Sequence, residues 1–271
     1  MKKLVIALTA LAAFTGSASA ADLAARPYTK APVAPAAVYN WTGFYIFGGG
    51  GGGLWNADSN VQTFPGAVAI TRDQRLGGSG WFGTVGIGYD WQFGGRWVAG
   101  IFGDGQFGDI RGSLSDPFTF IGGIEGREKL KTSYAAGVRV GYLVAPNVLS
   151  YVNGGYSGSE WSGTSLSTLA AGGGPTLATT GSFQRNGWFI GGGVENNLDI
   201  FGISAPGWFM KTEYRSAFYD RVTLPETCTV AGCGAVVPTG TAVTFKPWVQ
   251  TISTSLVYRF NWGGAPIQAK Y

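Results

Sequence analysis

Residues 80–93 read GWFGTVGIGYDWQF. One parity carries Trp81, Gly83, Val85, Ile87, Tyr89, Trp91 and Phe93; the other carries Phe82, Thr84, Gly86, Gly88, Asp90 and Gln92. Alternation this strict is the signature of a β-strand with one apolar face. Trp81 and Trp91 lie ten residues apart on that face, or about 33 Å at ~3.3 Å per residue. Tilted by about 40°, the span projects to about 25 Å, the height of the apolar band between the aromatic girdles of outer-membrane barrels. The spacing recurs from Trp97 to Phe107 and from Trp248 to Tyr258. These six aromatics are the expected girdle residues.

Outward from that stretch, the chain reads as eight strands near 41–55, 80–93, 97–109, 128–143, 148–161, 183–198, 208–220 and 244–261. Short turns (94–96, 144–147, 199–207) alternate with long segments (56–79, 110–127, 162–182, 221–243). The expectation is an all-β, eight-stranded antiparallel transmembrane barrel with short periplasmic turns, long extracellular loops and both termini periplasmic. Composition agrees: 13% charged residues, 45% hydrophobic and 46 glycines among 271 residues are too apolar for disorder and too glycine-rich for helices.

Residues 1–20 have the order of an export signal: Lys2 and Lys3, an apolar run from Leu4 to Phe14, then Ala18-Ser19-Ala20. Residues 21–40, with Pro27, Pro32 and Pro35, read as an Ala/Pro-rich periplasmic tether. The barrel is expected over 41–262 and a periplasmic tail over 263–271. Export puts Cys228 and Cys233 in an oxidising compartment, and their close spacing predicts a disulfide. The net charge of +4 includes two lysines of the signal, so the mature chain is near neutral and lacks the basic run of a nucleic-acid binder.

The alternation places Asp90, Asp104, Arg139, Glu195, Lys211, Glu213, Arg215 and Arg259 on the inward face. A charge facing lipid at mid-depth costs roughly 2–4 kcal/mol, so the lumen is where they belong. Four acids and four bases predict an ion-pair network filling a narrow barrel; the alternative is the selectivity lining of a narrow porin. Loop acids and bases (Asp58, Arg72, Asp73, Arg75, Asp116, Glu125, Arg127, Glu226) read as a solvated cap, or alternatively as an adhesive surface for an unidentified host ligand. With no His in the chain, His-based triads and His-ligated zinc are impossible. No enzyme activity, metal or cofactor is expected.

The run FYIFGGGGGGLW at 44–55 satisfies G-x-G-x-x-G with Gly48, Gly50 and Gly53. No helix or βαβ pattern follows, so the dinucleotide reading fails. It is expected to be the first strand, its inward glycines making room for long charged side chains. Six consecutive glycines predict a poorly specified register.

WTGFYIFGG (41–49), VRVGYLVAPNVLSYVNGGYS (138–157), GWFIGGGVENNL (187–198), MKTEY (210–214) and VYRFNW (257–262) resemble the small outer-membrane barrels of rhizobial and related alphaproteobacteria, called outer membrane immunogenic or porin-family proteins. The resemblance spans nearly the whole chain. It implies an abundant surface-exposed barrel in a Gram-negative envelope, without a catalytic site to transfer. The partners expected are outer-membrane lipid and lipopolysaccharide, and the barrel-assembly machinery. Two features depart from the pattern. Asn196 stands where relatives often have Tyr, and the Tyr258-x-Phe260 ending is followed by a tail to Tyr271. Either Tyr271 supplies the terminal aromatic that assembly reads, or recognition is internal.

Overall fold

The structure is a computed structural model that describes residues 39–168 and 174–260. The expected signal peptide, most of the expected tether and the tail, Tyr271 included, lie outside the described residues.

Twelve strands form one antiparallel sheet: β1 (Gly43–Ser59), β2 (Val61–Thr63), β3 (Gln74–Phe93), β4 (Trp97–Asp116), β5 (Ile124–Ala145), β6 (Val148–Trp161), β7 (Ser165–Thr168), β8 (Thr176–Thr180), β9 (Phe183–Asn197), β10 (Trp208–Tyr219), β11 (Val222–Cys228) and β12 (Val237–Phe260). They make eight staves. β1 pairs with both β3 and β12, closing the ring. Four staves are interrupted: β2 continues β1 along β12, β7 continues β6 along β5, β8 leads into β9, and β11 continues β10 along β12.

The staves are taller than the sequence suggests. About half of the segments expected as loops at 56–79 and 110–127 belongs to β1, β3, β4 and β5 (56–59, 74–79, 110–116 and 124–127), and β12 starts at Val237. The alternation persists beyond the apolar band, but its outer face turns charged. Arg75, Arg111 and Arg127 point outward while Leu76, Leu114 and Leu130 pack inside or against the core. A reading keyed to an apolar outer face stops where that face becomes polar. At ~3.3 Å per residue and about 40° of tilt, the 24 residues of β12 rise roughly 60 Å, about twice the apolar band. A single helical turn, α1 (Val230–Cys233), caps the tall rim beside the Cys228–Cys233 disulfide.

The glycine run is an ordinary paired strand with unbroken register from Phe44↔Phe260 to Asp58↔Lys246. The expectation of loose register is therefore corrected. So is the reason for the inward glycines. A Cβ on Gly49 would sit 2.1 Å from the Thr254 carbonyl oxygen, and one on Gly51 2.0 Å from that of Ile252. The backbone of β12, rather than a long charged side chain, takes the space. Gly48, Gly50 and Gly52 face outward; a Cβ on Gly50 would lie 3.2 Å from the Phe82 carbonyl oxygen, whereas nothing in the structure explains the lack of side chains at Gly48 and Gly52.

Candidate functional site

Two aromatic belts ring the outside. Trp81, Phe107, Trp188 and Trp248 mark one level, joined by the Trp188–Phe218 and Phe218–Trp248 stacks. Trp91, Trp97, Trp208 and Tyr258 mark the other, with Trp97 against Tyr142 and Trp208 against Tyr258 at 5.2 and 5.1 Å. Trp81, Trp91, Trp97, Phe107 and Trp248 are exposed, and Tyr258 is half-buried between Trp208 and Phe260. Trp248 Nε1 donates to Ser216 Oγ at 2.7 Å, leaving its ring on the surface. Between the belts the outer face is apolar and exposed: Val85, Ile87, Ile101, Val138, Val152, Ile190, Ile252 and Leu256. Exposed rings and aliphatics over so wide a band mark a surface made for lipid.

Inside, all eight inward charges named from the alternation are buried. They form two quartets. Asp90 on β3, Arg139 on β5, Glu195 on β9 and Arg259 on β12 converge near the short-turn rim. Arg139 donates to both oxygens of Asp90, through Nε at 2.9 Å and through Nη2, and to Glu195 Oε2 at 3.0 Å. Arg259 reaches Asp90 at 2.8 Å and Glu195 Oε1 at 2.7 Å. Gly100 stands between β3 and β5; a Cβ there would lie 2.0 Å from Asp90 Oδ1. Asp104 on β4 and Lys211, Glu213 and Arg215 on β10 form the second quartet. Arg215 clamps Asp104 with two bonds, of 2.8 and 2.6 Å, and reaches Glu213 at 2.8 Å; Lys211 lies 3.7 Å from Glu213. Each quartet holds two acids and two bases, so both are neutral. Bidentate pairing satisfies the carboxylates after water is removed.

Aromatic side chains complete these layers. The Arg139 guanidinium lies 4.4 Å from the Tyr45 ring centre, and the Lys211 ammonium 3.3 Å from that of Phe47. Tyr151 and Asn153 donate to Glu213 Oε2 at 2.8 and 3.0 Å. Tyr45 lies on the inward parity of the first strand, so alternation could have found it; the partners of Tyr151 and Asn153 depend on register. Trp41, fully buried with Tyr39 and Phe209 packed against it, fills the short-turn end, and Arg259 Nη1 donates to its carbonyl at 3.2 Å. Towards the tall rim the filling is aromatic: Trp55, Trp161 and Phe245 are buried and pack edge to face, with Phe183 beside them. A cavity of about 10 Å³ lies beside Phe82, Ile110 and Leu130, close to the volume that holds one water.

Two loop acids correct the expectation of a solvated cap, since Asp116 and Glu226 are both buried. A third acid of the tall rim, Glu128, is buried too and accepts from Thr164 Oγ1 at 2.6 Å. Burial pushes its carboxyl above the usual range. Their sequence neighbourhoods are polar and gave no sign of burial. Among the described residues no group of three or more His, Cys, Asp or Glu side chains could hold a metal ion.

This ring of eight tilted staves, lipid-facing outside and filled inside, has solved counterparts. OprG from Pseudomonas aeruginosa superposes with TM-score 0.50 at 10% identity, over 82% of this chain and 98% of that one. This chain has the fold of a small outer-membrane β-barrel. Neisserial surface protein A matches with TM-score 0.40 at 12% identity, over 81% and 98% of the two chains. Ail of Yersinia pestis matches with 0.32 at 14%, over 79% and 99%. No protein-family model matches the chain, and no curated protein does. At such identities the likeness extends to the fold alone.

Proposed function

We propose that the protein is a structural outer-membrane barrel and surface antigen that supports envelope integrity, its lumen closed by the ion-pair network. The observation that carries this reading is the interior. Two quartets, each with two acids and two bases, lie between aromatic layers, and all of these side chains are buried. Such an interior supports a stave-to-stave tie better than a conduit, and the absence of His from the sequence supports a non-catalytic role. The short turns and both termini are assigned to the periplasm and the tall charged rim to the outside, where its partners are outer-membrane lipid and lipopolysaccharide. The barrel-assembly machinery inserts the chain.

A deletion strain tests this role. It should become sensitive to detergent and to bulky antibiotics, recover with the wild-type gene, and lose surface labelling by antibody against the rim. Unchanged sensitivity would count against an envelope role.

A further inference from the structure

The charges standing above the Trp81 belt are unevenly spread. On β4 and β5, Arg111, Arg127 and Lys131 are exposed and Lys129 is half-buried. Register sets Arg111 opposite Lys129 and Ser113 opposite Arg127 on the outer face. Lys131 stands where the register of β5 shifts between Leu130 and Thr132. Two acids share this face. Asp109 lies 2.5 Å from Arg111 Nε and 3.4 Å from Lys129 Nζ, and Glu125 accepts from Ser113 Oγ at 3.3 Å. Arg127 and Lys131 join no ion pair among the described residues. Four bases therefore face two acids here, and two of the bases lack a counter-charge. Above the belt on the remaining staves, Asp58, Arg75, Glu160, Asp220, Arg221 and Lys246 balance one another.

Height decides what such a patch meets. Arg111 pairs with Ser79, two residues above Trp81. Two residues at ~3.3 Å each, tilted by about 40°, rise about 5 Å. The headgroup layer on each side of a hydrocarbon core is about 5–8 Å deep. Arg111, Lys129 and Lys131 thus fall within that layer, and Arg127, two residues above Lys129, stands at its upper edge. Directly beneath, Phe107, Ile101 and Val138 present exposed apolar surface, so the basic patch continues the lipid-facing band. Guanidinium groups bind phosphate through paired donors, and ammonium groups as compact charges.

We propose that Arg111, Arg127, Lys129 and Lys131 dock the phosphate groups of an outer-leaflet glycolipid, the lipid A end of lipopolysaccharide, while its acyl chains lie on Phe107, Ile101 and Val138. The excess of positive charge complements the phosphates, and the apolar surface below complements the chains. The assignment rests on the outer-membrane reading above, with the tall rim outside, and adds which staves hold the lipid and through which groups.

The test uses the full mature chain, refolded free of lipopolysaccharide in detergent, with heat-modifiable migration verifying each variant. Native mass spectrometry titrates diphosphoryl lipid A, its monophosphoryl form and, as phosphate without chains, inorganic phosphate. Diphosphoryl lipid A should bind saturably and weaken as salt rises from about 50 to about 500 mM. Loss of one phosphate should weaken it about fivefold, and Arg127→Gln with Lys131→Gln, which strands no carboxylate, at least about tenfold. Arg75→Gln with Lys246→Gln, the same charge loss on other staves, should leave it unchanged. Absent binding, equal loss in both double variants, equal affinity for the two lipid forms, or inorganic phosphate bound as tightly as lipid A would each overturn the proposal. A deletion strain without envelope defects, whose protein still binds lipid A through these bases, would sink the envelope role alone; a sensitive strain whose protein ignores lipid A would sink the patch alone.

Discussion

Arg139→Met removes the charged centre of the short-turn quartet while keeping an unbranched apolar stem. The guanidinium makes two bonds to Asp90 and one to Glu195. Without it, Asp90 and Glu195 share Arg259 alone, and the quartet carries a net charge of −1 in a buried layer. Breaking a buried pair by deleting one partner costs about 3–5 kcal/mol, mostly the stranded charge. With an m-value of about 2 kcal/mol/M, the urea midpoint should fall by about 2 M. The assay is reversible unfolding of the refolded barrel in detergent, read by tryptophan fluorescence and by heat-modifiable migration. Adding Asp90→Asn leaves Glu195 opposite Arg259 and restores neutrality, so the double variant should be less damaged than the summed singles, by about 2 kcal/mol of coupling. A loss below about 1 kcal/mol for Arg139→Met, or strictly additive singles, would refute the idea that the quartet is a closed, mutually dependent unit.

Four further outcomes are expected. Gly51→Val should block barrel assembly because its Cβ meets the Ile252 carbonyl at 2.0 Å, whereas Gly52→Ala, with its nearest neighbour at 3.9 Å, should assemble normally; folding yields in lipid vesicles compare them. Trp91→Asp puts a charge into the aromatic belt and should cut insertion into vesicles, and undiminished insertion would contradict the face assignment. Glu128, pushed up by burial, favours its protonated form in the fold. Its contribution to stability is whole below the ordinary value of 4.5 and lost as pH rises through the raised one; a thermal series from about pH 4 upward should show this fall in the wild type and a flatter profile in Glu128→Gln. Cys228→Ser opens a loop with a sequence separation of 5 and should lower stability by about 2 kcal/mol without changing assembly, as urea titration and gel migration will report.

The barrel was legible because a membrane imposes a period and a height together. Trp81 and Trp91 report both, and the same parity that places them outside places Asp90 between them on the inside. Partners within the lumen were less legible. Arg139 meets Glu195 over the intervening stave β6, and that meeting depends on stave order and shear rather than on alternation. The tall rim has the sequence character of loops because Arg75, Arg111 and Arg127 interrupt the apolar outer face while the strands continue. The burial of Asp116 and Glu226 is illegible for a related reason: beyond the apolar band polar residues occur on both faces, and burial is decided by strands that come from distant parts of the chain. The glycine run shows the converse. Gly49 and Gly51 are dictated by the approach of β12, which no local pattern announces.

Single-channel recording across a planar bilayer tests the closed lumen most directly. With the refolded wild-type chain inserted and heat-modifiable migration verified, the packed quartets predict a baseline without sustained conductance steps. Stable, reproducible open steps would contradict the account and assign the eight interior charges to the lining of a pore.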